Sequence, residues 1–291
     1  MLLGTGLPDY LAGSPEDETF NGGGGNDTLI GGSGTDSFNG SDTLNGGAGS
    51  DSIEDDYDLE GDVIDGGTGK DILHYQSISG TYDLSIDISD GGGGRDIGNG
   101  TTLSNIEVAE IIFFSNGTVD FTGGGGADAV VSGSSADTLN SGTGDDFLKA
   151  GGGKDEISGG AGGDTIVGEG GADTLLGGGG EDIFYYERVS DSLARAGDLI
   201  KGFVTREDVI DLHSIDATFT NRPKPNDPGG DTFIFVGNDP FSHTAGELRV
   251  TRSREPSGQT VIRGDTNGDG FADLVIYLSS HPVVSEDDII L

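Results

Sequence analysis

The sequence predicts an all-β chain: stacked nine-residue turns in two blocks, joined by a β segment and closed by a C-terminal β cap. Three observations lead there. Aspartate recurs at every ninth position over long stretches, and a large apolar residue follows each one two places later. Both patterns stop near residue 187, where glycine thins out and ordinary strand sequences begin.

The first block spans 1–75. Asp9, Glu18, Asp27 and Asp36 keep the nine-residue spacing; the shortened unit GSDTLN then brings Asp42, and Asp51, Asp62 and Asp71 follow. Asp27, Asp36, Asp51 and Asp71 are the candidate functional residues of this block. Residues 76–122 form an intervening segment. In TYDLSIDIS the residues Tyr82, Leu84, Ile86 and Ile88 alternate with polar ones, SNIEVAEIIFF is a second strand, and Asn116-Gly117 is a turn dipeptide.

The second block, 123–186, is the regular one. Asp128, Asp137, Asp146, Asp155, Asp164, Asp173 and Asp182 are each nine apart, and Val130, Leu139, Leu148 (behind Phe147), Ile157, Ile166, Leu175 and Phe184 follow them. The template is G-G-x-G-x-D-x-U-x, with U apolar, and GGAGGDTIV at 159–167 fits it at every fixed position. SGSSADTLN, around Asp137, lacks glycine at the first and fourth places. Residues 187–291 hold ten of the fourteen basic residues and strands such as DLIKGF, DVIDL, DTFIFV, ELRVT and ADLVIYL, which predict a compact β cap; TNRPKPNDPGG at 220–230 is a loop.

Composition sets the chemistry. The 291 residues include 57 glycines, no cysteine, and 52 acidic against 14 basic side chains, a formal charge of −38. Such a charge excludes unaided binding to nucleic acid or an anionic membrane, since no basic stripe exists to track phosphates. No apolar run approaches a membrane span, so no membrane insertion is expected, and MLLGTGLPDYLAG lacks the pattern of a cleaved leader. Disulfides are unavailable, so another staple is required.

A repeat of this kind cannot hold itself together. One buried apolar residue per nine does not offset the backbone entropy of the other eight, least of all with glycine, which loses more freedom than any other residue. Turns of nine also stack aspartates eighteen apart, and carboxylates about 5 Å from one another repel by roughly 3 kcal/mol at an effective dielectric of about 20. A hard divalent cation removes both problems. Carboxylates and glycine-loop carbonyls are oxygen ligands of the number and flexibility calcium accepts. The candidate metal-site glycines, whose backbone bends turn carbonyls toward an ion, are Gly123, Gly125, Gly142, Gly144, Gly151, Gly153, Gly160, Gly162, Gly171, Gly178 and Gly180.

These residues carry a resemblance. The nonapeptide array resembles the RTX (repeats-in-toxin) proteins, which implies a right-handed parallel β-roll with several calcium ions between its turns. Residues 182–291, through DIFYYERVSDS, DLIKGFVTREDVIDL, FIFVG, FSHTAGELRV, DTNGDGFADLVIYL and the closing DDIIL, resemble the C-terminal domain of serralysin-type metalloproteases. That implies an uncleaved signal for the type I secretion machinery at Asp287, Asp288, Ile289, Ile290 and Leu291, and hence a secreted, extracellular protein. Spacing and resemblance agree on the ligand edges: Asp128, Asp146, Asp164 and Asp182 on one, Asp137, Asp155 and Asp173 on the other.

Other motifs are less productive. DTNGDGFAD places Asp265, Asn267, Asp269 and Gly270 like the start of an EF-hand loop, but Ile276 stands where the bidentate glutamate belongs, and a polar turn is the competing reading. Asp198, Asp208 and Asp211 read as surface acids, with an additional ion site as the competing reading. GGGKD and GTGKD put aspartate where a phosphate loop needs Ser or Thr. His74, His213, His243 and His281 form no zinc-protease motif, there is no G-x-S-x-G, and no cysteine nucleophile exists. The expected function is therefore a secreted calcium-binding protein, folded by extracellular calcium. It would be non-catalytic, a surface, matrix or host-interaction module toward an extracellular polysaccharide or cell surface. The alternative is the calcium module of an extracellular enzyme, a metalloprotease or a polysaccharide-modifying epimerase.

Overall fold

The computed structural model describes residues 2–5, 7–12, 19–21, 28–30, 43–56, 63–68, 70–77, 84–88, 95–96, 102–113, 117–217, 232–252, 258–280 and 282–291. Asp27 and Asp36 lie outside them, as do Glu18, Asp42, Asp62, Asn116, His281 and the 220–230 loop. The regular secondary structure of the described residues is strand apart from two short 3-10 turns, and these residues fall into two compact units. The fold class is all-β, a parallel β-roll with a β cap.

The first unit comprises 1–134 and 138–147. Successive strands go alternately to two parallel sheets. One takes Leu2–Leu3, Thr19–Asn21, Thr43–Ala48, Val63–Thr68 and Thr102–Ser104; the other takes Tyr10–Ala12, Thr28–Ile30, Ser52–Asp56, Ile72–Ser77, Val108–Phe113 and Ala129–Val131. Leu84–Asp87, Val119–Thr122 and Thr138–Thr143 form a third parallel run. The expected strand in TYDLSIDIS is present, and SNIEVAEIIFF supplies Val108–Phe113. This alternation is what a D-x-U-x unit produces. Each strand of about three residues turns one apolar side chain inward, and a glycine loop carries the chain across to the facing sheet.

The second unit comprises 135–137 and 148–291. Glu156–Ala161, Thr174–Gly179, Leu199–Lys201 and Leu274–Leu278 are parallel neighbours, stacking Ile157, Leu175, Ile200 and Leu278 in one column. Opposite, Thr165–Val167, Ile183–Tyr185, Val209–Asp211 and Ile289–Ile290 stack Ile166, Phe184, Ile210 and Ile289. All eight inward residues are at most 6% exposed, so these two columns form the centre of the roll's core, with Ala150 and Val167 buried beside them. The cap ends this core: Thr260–Asp265 pairs antiparallel with both Leu274–Leu278 and Glu247–Arg252, and Ile234–Gly237 closes the edge.

Ile289–Ile290 is the edge strand of the opposite sheet, beside Val209–Asp211. Leu212 donates its N–H to the Ile290 carbonyl at 2.9 Å, and buried Asp288 accepts the N–H groups of Arg206 and Ser285, each at 2.7 Å.

Candidate metal centres

The glycine loop determines what each aspartate can do. Counting back from the aspartate, the second and fourth residues before it adopt left-handed backbone. For Asp164 these are Gly162 and Gly160, at φ 131° and 108°; for Asp182 they are Gly180 and Gly178, both at 127°; for Asp155 they are Gly153 and Gly151, at 147° and 92°. Before Asp146, Gly144 and Gly142 behave likewise. A side chain there would be strained whatever space it had. The unit of Asp173 departs from the rule, with Gly171 outside the left-handed region and the non-glycine Glu169 inside it at φ 56°, beside an ion pair of 2.7 Å to Lys149; the units of Asp128 and Asp137 have no left-handed residue at either place. Gly123 and Gly125 of the GGGGAD unit do not have left-handed backbone.

Before Asp71, Asp128, Asp164, Asp173 and Asp182 the fifth residue back is glycine for another reason, whereas Ser132, Ser141 and Ala150 stand there before Asp137, Asp146 and Asp155. A Cβ at Gly177 would strike Asp182 Oδ2, one at Gly159 Asp164 Oδ2, and one at Gly123 Asp128 Oδ2. At Gly168 and Gly66 it would stand 2.7 and 2.8 Å from the Oδ2 of Asp173 and Asp71. Glycine carbonyls crowd the same space from the neighbouring coil: a Cβ on Gly178 would meet the Gly160 oxygen, and one on Gly180 the Gly162 oxygen. Carboxylate and loop carbonyls thus converge on the gap between coils.

The two oxygens of each carboxylate have different surroundings. Oδ1 accepts the backbone N–H of the aspartate one coil back: Asp137 donates to Asp155 and Asp128 to Asp146 at 2.8 Å, Asp155 to Asp173 at 2.9 Å, Asp164 to Asp182 at 3.0 Å. In the first block Asp51 donates to Asp71 at 2.8 Å. These aspartates are at most 3% exposed. The Oδ2 atoms of Asp71, Asp128, Asp155, Asp173 and Asp182 are buried without a hydrogen-bond partner. An uncompensated buried carboxylate oxygen is costly, and the recurrence of the same orphan atom from turn to turn is the pattern that a ladder of cation ligands presents.

Electrostatics point the same way. Burial raises the carboxyl pKa values of Asp128 and Asp155 to about 7 and those of Asp173 and Asp182 to about 6, although a backbone N–H to each works against the shift. Without a cation these groups would hold protons near neutrality. Among the described residues no three His, Asp or Glu side chains gather into one cluster. The residues present fit calcium through two carboxylates from successive coils completed by carbonyl oxygens, a donor set suited to that ion.

The ladder extends beyond the predicted residues. Asp198 and Asp208, read from sequence as surface acids, are 0% and 3% exposed. Asp173 donates its N–H to Asp198 Oδ1 at 2.9 Å, and Asp182 to Asp208 Oδ1 at 3.3 Å. Each therefore takes the place of the next repeat aspartate after spacings of 25 and 26 residues instead of 18. Burial pushes Asp198 up to about 8, and its Oδ2 has no hydrogen-bond partner. The wholly buried Tyr186 hydroxyl interacts with Asp198 electrostatically but without hydrogen-bond geometry. Asp211 is also largely buried, its Oδ1 accepting from His213 N–H at 3.0 Å and lying 2.6 Å from the ring Nδ1. In the first unit Glu107 plays a comparable part, its Oε2 accepting the Asp71 N–H at 2.8 Å. Its only sequence signal is an acid two places before inward-facing Ala109.

The remaining motifs resolve into local structure. In DTNGDGFAD, Asp265 Oδ1 accepts from Gly268 at 2.7 Å and Oδ2 from Gly270 at 2.8 Å, while Asp273 accepts from Thr266 and Asn267. The loop is a polar turn joining the antiparallel strands Thr260–Asp265 and Leu274–Leu278. Each described histidine has its own partner: His74 with Glu110 at 2.7 Å, His243 with the Asp269 carbonyl at 3.1 Å, and His213 with Asp211. Ser214 lies 3.2 Å from His213 Nε2 and 2.8 Å from the Tyr185 hydroxyl, so these side chains clasp the turn after Val209–Asp211 to the end of Ile183–Tyr185. No helix among the described residues is long and apolar enough to cross a membrane.

Comparison with known families agrees with this geometry. The RTX calcium-binding nonapeptide repeat matches residues 3–38, 37–56 and 60–76. The Peptidase M10 serralysin C-terminal family matches residues 100–291, a span that includes the regular second array and the cap. No curated protein matches the chain. Nonapeptide repeats of the RTX kind bind several calcium ions, and the serralysin match covers more than half of the sequence. The chain therefore belongs to the serralysin C-terminal family and carries RTX calcium-binding repeats.

Proposed function

We propose that the chain is a secreted, non-catalytic module in which calcium binding and folding are one event, and that it acts outside the cell at a surface, a matrix or a host. The repeated buried Oδ2 facing a glycine loop supports this reading best. Each ion would lie between successive coils, held by pairs such as Asp155 with Asp173 or Asp164 with Asp182. Carbonyls of the intervening glycine loops would complete each site. Asp27 and Asp36 would serve the first block in the same way, and Asp198 and Asp208 would extend the series into the cap. The working division is 1–75 and 123–186 as calcium rolls, 76–122 as the segment between them, and 187–291 as the seal on the last apolar turn.

In a calcium-poor cytosol the acidic, glycine-rich chain would stay unfolded and suited to type I export; extracellular calcium would then neutralise and fold it. Burial of Ile289 and Asp288 in the folded cap fits this order, since an export signal in those residues would be readable only before folding. Circular dichroism provides the test. A coil-like spectrum without calcium that becomes β-rich on its addition is expected, and a β-rich spectrum in chelator would overturn the coupling. A binding screen against extracellular polysaccharides and cell surfaces addresses the target.

The family description favours a second reading, since it names the C-terminal part of a peptidase. The chain would then be the calcium module of an extracellular enzyme. The mass of the naturally secreted product distinguishes the two: a mass well above 29.6 kDa assigns the module to a larger enzyme.

A further inference from the structure

The cap carries a site of opposite sign to the rest of the chain. Arg249 and Arg263 are directly opposed on the antiparallel strands Glu247–Arg252 and Thr260–Asp265, so their side chains leave the same face of the sheet. Like charges placed opposite one another destabilise a sheet. With 52 acidic residues in the sequence, a carboxylate partner would be the common remedy, yet among the described residues neither guanidinium has one. Arg249 instead donates from Nη2 to the Asn238 carbonyl at 3.4 Å and sits 5.5 Å over the Phe241 ring. Its Nε–H is buried with no acceptor. Arg263 donates from Nη1 to the Thr251 hydroxyl at 2.5 Å. Tyr277, opposite Val261, lies diagonal to Arg263. Burial lowers the Arg263 pKa; among its neighbours Tyr277 opposes that shift and Arg249 adds to it.

We propose that Arg249 and Arg263, with the hydroxyl of Tyr277, form a binding site for a compact oxyanion, either a free sulfate-like ion or the carboxylate of a small organic acid. Two guanidinium forks provide the planar, charge-assisted donors that such groups accept, and the Tyr277 hydroxyl adds a neutral donor; the Thr251 hydroxyl, which donates to the Val261 carbonyl at 3.4 Å, serves to hold Arg263. The ligand is small because a polyanion would have to approach a molecule of formal charge −38 along its whole length. A compact anion meets only the local pair, the more distant charge being screened over about 8 Å at physiological ionic strength. The site lies outside the repeats and does not depend on the calcium assignments.

The test is thermal unfolding of the calcium-saturated chain in sodium sulfate or sodium glucuronate against sodium chloride, at matched ionic strength and free calcium. The wild type should gain stability with the oxyanion, as linkage to a folded-state ligand requires. Arg249→Gln and Arg263→Gln should each lose about two thirds or more of that gain. Both variants should be no less stable than wild type in chloride, because each relieves the opposed charges. Glucuronate acting at about tenfold lower concentration than sulfate identifies an organic acid as ligand; equal potency identifies a free oxyanion. Calorimetric titration of either anion into the wild type should give saturable heat. Equal gains in variants and wild type, or a wild type indifferent to both anions, would overturn the proposal.

Discussion

At the scale of single residues, glycine does two separate jobs in this repeat, and substitution can tell them apart. Gly177 sits against Asp182 Oδ2, whereas Gly179 has nothing within 4 Å of a Cβ and no left-handed backbone. Gly177→Ala should therefore raise the calcium midpoint for folding, and Gly179→Ala should leave it unchanged; a calcium titration followed by circular dichroism reads both. Asp155→Ala and Asp164→Ala should each raise the midpoint about tenfold or more, the equivalent of about 1.4 kcal/mol of ion binding. Exposed Glu156→Ala serves as the control. Glu169 is the opposite case. Its left-handed backbone costs about 1–2 kcal/mol, more than the roughly 0.2–1 kcal/mol typical of a solvent-accessible ion pair, and Lys149–Glu169 is a partly exposed one. Glu169→Gly should accordingly stabilise the folded form slightly, by up to about 1 kcal/mol in calcium-dependent thermal unfolding. Much of this was legible beforehand, because spacing alone marks Asp155 and Asp164. What spacing could not show is which glycine bends the chain and which makes room for an oxygen. That depends on φ and on the carboxylate's rotamer, and Gly123 and Gly125 illustrate the difference.

At the scale of elements, the strand unit D-x-U-x outlasts the nonapeptide. Asp198-Leu199-Ile200-Lys201 and Asp208-Val209-Ile210-Asp211 each place an aspartate in the ladder and an apolar residue in the column, but the loops before them are longer and poor in glycine. A search for a fixed period of nine therefore stops at Asp182, although the packing continues for two more strands in each sheet. The register depends on backbone pairing and on one inward side chain, and neither constrains the length of the loop between strands. Phe147 and Leu148 show the same dependence on geometry: Leu148 is fully buried while Phe147 is 39% exposed, because the inward position is fixed at two places after the aspartate. Asp198→Asn and Asp208→Asn test what these two residues contribute. The amide oxygen can still accept the N–H of Asp173 or Asp182, so a purely hydrogen-bonding role predicts an unchanged calcium midpoint. A role in holding the cation predicts a higher midpoint and a lower ion count by equilibrium dialysis, and we expect this second outcome.

At the scale of the whole molecule, pH separates coupled folding from binding to a preformed roll. In the metal-free folded form Asp128, Asp155, Asp173, Asp182 and Asp198 have pKa values from about 6 for Asp173 and Asp182 to about 8 for Asp198, all above the ordinary 3.8. The folded form thus binds more protons than the unfolded chain. The stability this lends is fully present below about 3.8 and is lost as pH rises through 6 to 8. At pH 7.5 the calcium-free roll has therefore lost most of this support. Two routes to the calcium-loaded state then differ in their protons. If calcium meets a folded roll, it must expel the protons held by groups such as Asp128 and Asp155, and its midpoint should fall steeply as pH rises from 6 to 8. If calcium meets an unfolded chain, the carboxylates are already ionised throughout that range. The midpoint should then be flat from pH 6 to 8, rise only below about pH 5, and be accompanied by almost no proton release. We expect the flat profile. Measuring the calcium midpoint by circular dichroism at pH 6, 7 and 8, with proton release followed in weakly buffered solution, decides between the routes. A midpoint that falls tenfold or more over that interval would mean that the roll stands before the ion arrives.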